Sequence, residues 1–317
     1  MQHLRICLTI LLVFLLQNLS AQDVVVHVDG EVSASGDGLT RTTAYKTIAE
    51  AVAHAPEPNQ IHIWPSTYAA ITVDVTGKGS ISRPMRFIGR EENLERVSIS
   101  GGNDIFHGTL LANNSFIQIE NIDISSTGEA IRYCTATLRS VNLHSAGRPF
   151  DCGTGTGTTD AFAAYDCLIV ADLQNLYVIR ASAIRVYNST IRTTGAAGTS
   201  MMAVVNAGNK ILKFINSVIW GYDNTRTLVP NDGYQPNIIE VRNSRFFQAD
   251  TTGLTGISGG LSPVVEQMYN ETNMQLTLSG SPDFTYELGA SSPLRNSGVN
   301  GEVIGVISKV SGVRIGK

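Results

Sequence analysis

Residues 184–191 read Ile184-Arg185-Val186-Tyr187-Asn188-Ser189-Thr190-Ile191, in which two short apolar alternations meet at one asparagine. The same pattern returns at residues 116–124, 137–143, 164–170, 212–219 and 239–246. The alternations meet at residues 121, 140, 167, 188, 216 and 243, which lie between 19 and 28 positions apart. A repeat of this length, built from strands, is typical of a solenoid in which each coil packs against its neighbours. We therefore predict an all-β solenoid.

The residue at each meeting point is asparagine except at Ser140 and Cys167. Asparagine tolerates the left-handed backbone conformation that a sharp bend between two strands requires. In coils stacked about 4.8 Å apart, asparagine side chains can also hydrogen-bond along the solenoid axis. Cys167 is predicted to be a small buried residue in this stack. A disulfide remains the alternative use of cysteine, and Cys134 with Cys152 is the candidate pair.

Residues 1–21 have the organisation of a secretory signal peptide. A basic start with Arg5 precedes an apolar run over residues 6–16, and small residues end the segment at Ala21, after which we predict cleavage. The apolar run is too short to anchor the chain, and no later segment offers about 18 consecutive apolar residues. Residues 22–317 are therefore predicted to form a secreted protein, extracellular or periplasmic, with no membrane partner.

The charge balance argues against nucleic acid as a partner. Removal of Arg5 with the signal peptide leaves 22 basic and 27 acidic residues. Nucleic-acid binding relies on an excess of basic groups, which this chain lacks. Only 16% of the residues are charged, and the abundance of Gly, Ser, Thr and Asn suits short strands joined by tight turns.

Both ends of the solenoid are predicted to carry caps. Residues 22–60 contain a first strand at 24–28 and then a helical pattern behind a threonine, with residues at helical spacing: Tyr45, Ile48, Ala49 and Val52. Such a helix would cover the open end of the first coil, whose core and strand edge would otherwise face water. A less regular C-terminal cap is predicted from about residue 250 to residue 317.

A third strand in each coil is predicted at residues 131–133, 176–179 and 201–205. Coil length varies in the segments that precede it, at residues 145–160, 193–200, 221–236 and 248–263. Loops of unequal length on one edge of a regular scaffold usually carry the binding residues. We therefore expect any functional site beside the third strand.

The chain resembles the right-handed parallel β-helix, or pectin-lyase-like, superfamily over essentially its whole predicted mature length. The segment resembling the N-terminal cap shared by pectin methylesterases and many exported β-helix proteins includes residues 28–38, 45–52 and 61–68. Residues 283–298 resemble the closing segment of secreted bacterial β-helix repeat proteins. The resemblance implies a single-stranded right-handed parallel β-helix with an N-terminal capping helix.

The resemblance is specific for fold and less so for chemistry. The Gln-Asp motif of pectin methylesterases, the paired aspartates of polygalacturonase-like hydrolases and the Asp-Pro-His-Glu motif of alginate epimerases are absent. Residues 82–89 and 97–101 resemble the early coils of chondroitinase-B-like and alginate lyases. In such lyases a basic or tyrosine side chain removes the proton α to a uronate carboxylate, while Ca²⁺ or arginine stabilises the developing charge.

Carried onto this chain, that chemistry gives a set of candidate residues. The catalytic candidates are Arg132, exposed on the third strand with Ile131 and Tyr133 turned inward, and His107 in a glycine-flanked turn. The substrate-binding and metal candidates lie on the third strand and in the long loops: Arg148, Arg180, Arg226 and Tyr234 for substrate, and Asp151 and Asp160 for a metal. The alternatives are a surface ion pair for Arg132, a structural role for His107, and ordinary turn residues for the two aspartates.

We predict an exported, monomeric protein that acts on an acidic polysaccharide. The leading hypothesis is a polysaccharide lyase that cleaves uronate-containing glycan by β-elimination, with Ca²⁺ as the candidate cofactor. The alternative is a non-catalytic carbohydrate-binding or surface-adhesion β-helix. Both hypotheses rest on analogy of fold, and one fold hosts many activities.

Overall fold

The computed structural model describes residues 24–54, 59–109, 115–151, 161–172, 179–193, 202–204, 211–220, 238–242, 244–247, 264–265, 276–278 and 286–288. The predicted signal peptide and most of the predicted C-terminal cap lie outside these residues. Within them, nearly all regular structure is parallel β-sheet. No helix in this part of the chain is long and apolar enough to cross a membrane.

Three parallel sheets run along the molecule, and the chain visits them in turn. In the described residues, the ten-stranded sheet contains β1 Val24–Val28, β2 Asn59–Ile63, β5 Met85–Gly89, β8 Phe116–Glu120, β11 Thr135–Arg139, β14 Ala161–Tyr165, β17 Ala183–Tyr187, β20 Ile211–Ile215, β22 Ile238–Arg242 and β24 Val264–Val265. The eight-stranded sheet contains β3 Thr67–Tyr68, β6 Val97–Gly101, β9 Ile122–Ser126, β12 Asn142–Ser145, β15 Leu168–Ala171, β18 Thr190–Thr193, β21 Val218–Trp220 and β23 Arg245–Phe247.

The six-stranded sheet contains the shortest strands: β4 Val73–Asp74, β7 Phe106–His107, β10 Ile131–Arg132, β13 Phe150–Asp151, β16 Ile179–Ala181 and β19 Met202–Val204. The strands β25 Leu276–Leu278 and β26 Tyr286–Leu288 form a separate antiparallel pair. Successive coils therefore add one strand to each parallel sheet, which is the architecture of a parallel β-helix. This confirms the predicted fold class. The strands β10 and β19 confirm the third strands predicted at residues 131–133 and 201–205, whereas β16 begins at Ile179, the last residue of the strand predicted at 176–179, and residues 176–178 lie outside the described residues.

The core is built by side chains that stack from coil to coil. Period-two alternation turns every second residue of each strand inward. In the ten-stranded sheet, parallel register then places one fully buried residue of each coil against the next: Ile61, Phe87, Ile119, Leu138, Ala164, Val186 and Phe214. The apolar alternations in the sequence are thus the inner faces of two successive sheets.

The bend between the two larger sheets is made by residues in the left-handed conformation. Asn121, Ser140, Asp166, Asn188 and Asn216 all have φ between 45° and 57°. The prediction that Cys167 takes the asparagine position is wrong by one residue, because Asp166 makes the bend. Two coils show the expected side-chain contact along the axis, since the Asn216 amide donates to Asn188 Oδ1 at 3.1 Å.

Cys167 belongs instead to an inner stack beside the bends. Its backbone N–H donates to Ser189 Oγ, the Ser189 N–H to Ser217 Oγ, and the Ser217 N–H to Ser244 Oγ. Cys167 is fully buried, as predicted for a small residue in a stack. Cys134 is also buried. Its candidate disulfide partner, Cys152, lies outside the described residues.

The capping helix α1 spans Ile48–His54. Thr47 and Glu50 form a capping box, in which Thr47 Oγ1 accepts from the Glu50 N–H and the Glu50 carboxylate accepts from the Thr47 N–H. Ile48, Ala51 and Val52 are buried, and the helix packs on β1, β2 and β4. It therefore covers the first coil, although Ala49, which was expected on the packed face, is exposed.

Candidate functional site: a charged row on the six-stranded sheet

The outer face of the six-stranded sheet carries one ionisable residue in each of five successive coils. Strand pairing places these residues in register: Asp74, His107, Arg132, Asp151 and Arg180. The residue preceding each of them points inward and is fully buried: Val73, Phe106, Ile131, Phe150 and Ile179. We call the five outward residues the charged row. Their spacing is that of neighbouring strands, about 4.8 Å.

A second line of charges lies beside the charged row. Asp104, Glu129 and Arg148 each stand three residues before a member of the row. The coils are joined here by backbone bonds, because the Asp104 N–H donates to the Glu129 carbonyl and the Ala130 N–H to the Arg148 carbonyl. These three residues are therefore also stacked, and we call them the flanking charges.

Cations and anions alternate through the two lines. Arg132 Nη1 lies 3.2 Å from Glu129 Oε2 and 3.4 Å from Asp104 Oδ2. Arg148 Nη1 lies 3.7 Å from Glu129 Oε1 and also contacts Asp151 Oδ2. Arg180 Nη1 lies 3.8 Å from Asp151 Oδ1. Three guanidiniums and three carboxylates thus form one continuous network along the helix axis.

The part of the network around Asp151 and Glu129 is more buried than an ordinary surface ion pair, whereas Arg132 and Asp104 are 30% and 28% exposed. The side chain of Asp151 is 2% exposed, and those of Arg180, Arg148 and Glu129 are 13%, 16% and 17% exposed. Several of its polar atoms are buried without a hydrogen-bond partner among the described residues: Asp104 Oδ1, His107 Nδ1 and the Nε atoms of Arg132, Arg148 and Arg180. Buried polar atoms without partners are uncommon in folded proteins, so their concentration at one place points to a site.

Burial acts on the ionisation of the network. It raises the pKa of Glu129 above its usual value, and the nearby Arg132 guanidinium offsets only part of that effect. Burial opposes the charge of Arg132, but Glu129 and Asp104 outweigh it and raise the pKa of that guanidinium. Arg132 therefore stays charged, while Glu129 is the carboxyl that holds its proton more readily than a solvated glutamate.

Tyr133 does not turn into the core as predicted. Its φ of 55° is left-handed, which breaks the alternation after Arg132. The ring is half-buried, and the Arg132 guanidinium lies 4.4 Å from its centroid. Burial raises the pKa of the phenol. Its carbonyl would lie 2.3 Å from a Cβ at position 108, so Gly108 is required for this close approach.

The structure brings together five of the predicted site residues. His107, Arg132, Asp151 and Arg180 lie in the charged row, and Arg148 is a flanking charge. The predicted residues Asp160, Arg226 and Tyr234 lie outside the described residues. Asp74, Asp104, Glu129 and Tyr133 were missed as site residues. The spacing of three residues between Glu129 and Arg132, repeated at Arg148 and Asp151, is the signal that could have found the flanking charges.

The surroundings of Asp151 do not suit Ca²⁺. Guanidiniums approach both of its carboxylate oxygens, and a cation there would be repelled. Calcium sites in proteins supply six to eight oxygen ligands. Among the described residues, no group of three or more His, Cys, Asp or Glu side chains is placed to hold a metal. We therefore derive no chemical step through a metal ion.

The outer face of the ten-stranded sheet is arranged differently. Tyr165 and Tyr187 stack in parallel with centroids 4.8 Å apart, and Arg139 lies 4.4 Å from the Tyr165 centroid. Nearer the N-terminus, His27 and His62 lie in register, and Trp64 Nε1 donates to His27 Nδ1 at 3.3 Å. Aromatic contacts and one partly exposed ion pair, Arg86 with Glu120, therefore engage several polar groups of this face.

Comparison with protein-family models, with curated proteins and with solved structures gives no match to this chain. The geometry of the charged row and its flanking charges is therefore what indicates a function.

Proposed function

We propose that this protein is a member of the pectin-lyase-like superfamily that is exported and cleaves an acidic polysaccharide by β-elimination at the charged row. The observation that carries the proposal is the convergence of His107, Arg132, Arg148, Asp151 and Arg180 on one outer face. A linear glycan laid along the helix axis would meet one of these coils about every 4.8 Å. Guanidiniums suit its carboxylates, since they bind such groups through paired hydrogen bonds.

In the proposed reaction, Arg132 binds the uronate carboxylate and stabilises the charge that develops on it. His107, one coil away, accepts the proton from the carbon α to that carboxylate. The electrons of the broken C–H bond form a carbon–carbon double bond, and the bond to the glycosidic oxygen breaks. Tyr133, whose raised pKa keeps the phenol protonated, is the nearby group that can give that oxygen its proton.

The proposal is tested by incubating the purified protein with pectate, alginate and chondroitin, with and without Ca²⁺. We expect new unsaturated chain ends, which absorb in the ultraviolet, on at least one polymer. His107→Gln should lower the rate by about a hundredfold or more, because it removes the base. His62→Gln, on the ten-stranded sheet, is the matched control and should leave the rate unchanged. Absence of unsaturated ends on all three polymers would rule out the lyase.

A second candidate function is glycan binding without cleavage. One observation favours it: each guanidinium of the network already faces a carboxylate of the chain itself. The network has no net charge, and a carboxylate of the glycan could replace a carboxylate of the chain beside a guanidinium. Binding of this kind needs no catalytic base. Retention on polysaccharide gels together with no unsaturated ends would select this function over the lyase.

A further inference from the structure

A serine, a histidine and an aspartate lie together on a different face, the outside of the eight-stranded sheet. His144 on β12 is in register with Ser125 on β9. Asp172 directly follows β15, the strand on the other side of β12. None of these residues belongs to the charged row or its flanking charges. The eight-stranded sheet therefore carries a second group of chemically reactive side chains, apart from the charged row.

The histidine and the aspartate are already joined. His144 Nε2 and Asp172 Oδ2 lie 2.5 Å apart. The backbone supports this contact, because the Asp172 N–H donates to the Ser145 carbonyl at 2.9 Å. The two side chains are 25% and 42% exposed, and ion pairs at such exposed positions contribute little to stability. A carboxylate held against one imidazole nitrogen does, however, fix the orientation and tautomer of the ring.

Ser125 stands on the other side of the imidazole. Its side chain is exposed and points outward, between the buried Ile124 and Ser126. Residues paired on adjacent strands are about 4.8 Å apart, with side chains on the same side of the sheet. The Ser125 hydroxyl and the imidazole are therefore neighbours on this face, and the ring nitrogen not held by Asp172 is Nδ1.

We propose that Ser125, His144 and Asp172 form a second site, which hydrolyses O-acetyl esters carried by a polysaccharide. Three features of the arrangement correspond to nucleophilic acyl transfer: an exposed hydroxyl, an imidazole beside it, and a carboxylate that orients the imidazole. Ser125 is exposed and His144 is partly exposed, whereas Val170, in register with His144 on β15, is buried, so the accessible side is the one that carries the serine. A small acyl group on an extended molecule suits a serine exposed in this way. The polysaccharide part of the proposal rests on the proposed function, whereas the ester chemistry does not.

The reaction requires only the ester and water. His144 takes the proton of the Ser125 hydroxyl as its oxygen bonds to the acetyl carbon. The ester C–O bond then breaks, and the proton passes from His144 to the departing sugar oxygen. Water attacks the acetyl-serine with His144 again as base, which releases acetate and restores Ser125.

The site is tested with p-nitrophenyl acetate and with a fluorophosphonate that labels activated serines. The wild-type protein should hydrolyse the ester and be labelled at Ser125, and Ser125→Ala should abolish labelling and lower the rate at least about a hundredfold. Ser100→Ala is the matched control, because Ser100 is in register with Ser125 but two strands, about 10 Å, from His144. It should behave as the wild type. Asp172→Asn should lower the rate with little effect on unfolding.

Equal rates in the wild type and Ser125→Ala, or no labelling, would overturn the site. Release of acetate from acetylated pectin tests whether the ester is carried by a polysaccharide. Hydrolysis of p-nitrophenyl acetate without release of acetate from the polymer would overturn the choice of a polysaccharide substrate. The two proposals fail separately. Labelling at Ser125 without unsaturated ends on any polyuronate would overturn the lyase alone, and unsaturated ends without labelling would overturn the second site alone.

Discussion

The six-stranded and ten-stranded sheets use the same backbone geometry but treat charge in opposite ways. On the ten-stranded sheet, Arg139 stacks on Tyr165 and Arg86 pairs with Glu120 at half-exposed positions. On the six-stranded sheet, Asp151 is almost completely buried between two arginines, and polar atoms around it have no hydrogen-bond partner in the part of the chain that the structure describes. Stacking explains the first arrangement without a ligand. The second has a desolvation cost that stability alone does not explain.

The largest expected difference between the two faces is in stability. Asp151→Ala should lower the free energy of unfolding by about 3–5 kcal/mol, because it removes the carboxylate that faces Arg180 and leaves Arg148 with only the more distant Glu129. Glu120→Ala should cost about 1 kcal/mol or less, since its partner Arg86 is a third exposed. Urea unfolding of both variants measures the comparison. Equal losses would show that burial of the network has no energetic consequence.

Glu129 should make polyuronate binding at the charged row depend on pH. Because its pKa is raised, acidification protonates Glu129 before an ordinary glutamate and releases Arg132 and Arg148 for a glycan carboxylate. Binding of a polyuronate should therefore tighten as pH falls through that pKa. Glu129→Gln should bind about tenfold more tightly at neutral pH, a gain of about 1.4 kcal/mol, and lose this pH dependence. Titration calorimetry across the pH range checks both effects.

The control for this prediction is Glu120→Gln, which removes the same charge from the ten-stranded sheet. It should leave both the affinity and its pH dependence as in the wild type. Weaker binding by Glu129→Gln would mean that the carboxylate positions the guanidiniums for the glycan and does not compete with it.

On the ten-stranded sheet we expect a smaller pH effect, in this case on stability. Acidification should lower the stability of the fold, whereas it should tighten glycan binding at the charged row. Burial, with Arg90 and His27 nearby, lowers the pKa of His62 to about 4. The unfolded chain therefore takes up this proton first, so the stability contribution is complete above about pH 6.5 and is lost as pH falls towards about 4. Because the ring is half-exposed, we expect a loss of about 1 kcal/mol. His62→Gln should flatten this dependence in thermal unfolding monitored by tryptophan fluorescence. If His62→Gln shows the same dependence of stability on pH as the wild type, His62 is not the group responsible.

The smallest effect is expected in the tyrosine stack. Arg139→Gln removes the guanidinium 4.4 Å from the Tyr165 centroid and should lower the free energy of unfolding by only about 0.5 kcal/mol. Urea unfolding beside the wild type measures it. A loss of several kcal/mol would place this face in the same energetic class as the charged row.

The fold was largely predictable because its signal is periodic. The alternations on both sides of Asn121, Asn188 and Asn216 specify which residues turn inward, and the bends occur at those asparagines. The prediction failed at Cys167, where hydrophobicity placed the bend one residue late. Backbone conformation decides that position, and Asp166 tolerates the left-handed region better than cysteine does.

The site was predictable only in part. Alternation correctly placed Arg132 outward, and coil spacing brought His107, Asp151 and Arg180 beside it. Strands of two residues, such as β7 and β13, are too short to show a period in the sequence. The orientation of Tyr133 depends on a left-handed residue that no alternation pattern reveals. Glu129 was missed because, in the sequence alone, a charged residue between two strands is typical of a solvent-exposed turn. Its burial becomes evident only from its neighbours in the fold.

The most direct test of the charged row compares Arg132→Gln with Arg139→Gln in equilibrium binding to a polyuronate at one ionic strength. Each variant removes one guanidinium from an outer face, so the change in net charge is identical. If the row is the binding site, Arg132→Gln should weaken binding about tenfold or more, and Arg139→Gln should bind as the wild type does. If both variants weaken binding equally, or if neither weakens it, the assignment of glycan recognition to the six-stranded sheet is contradicted.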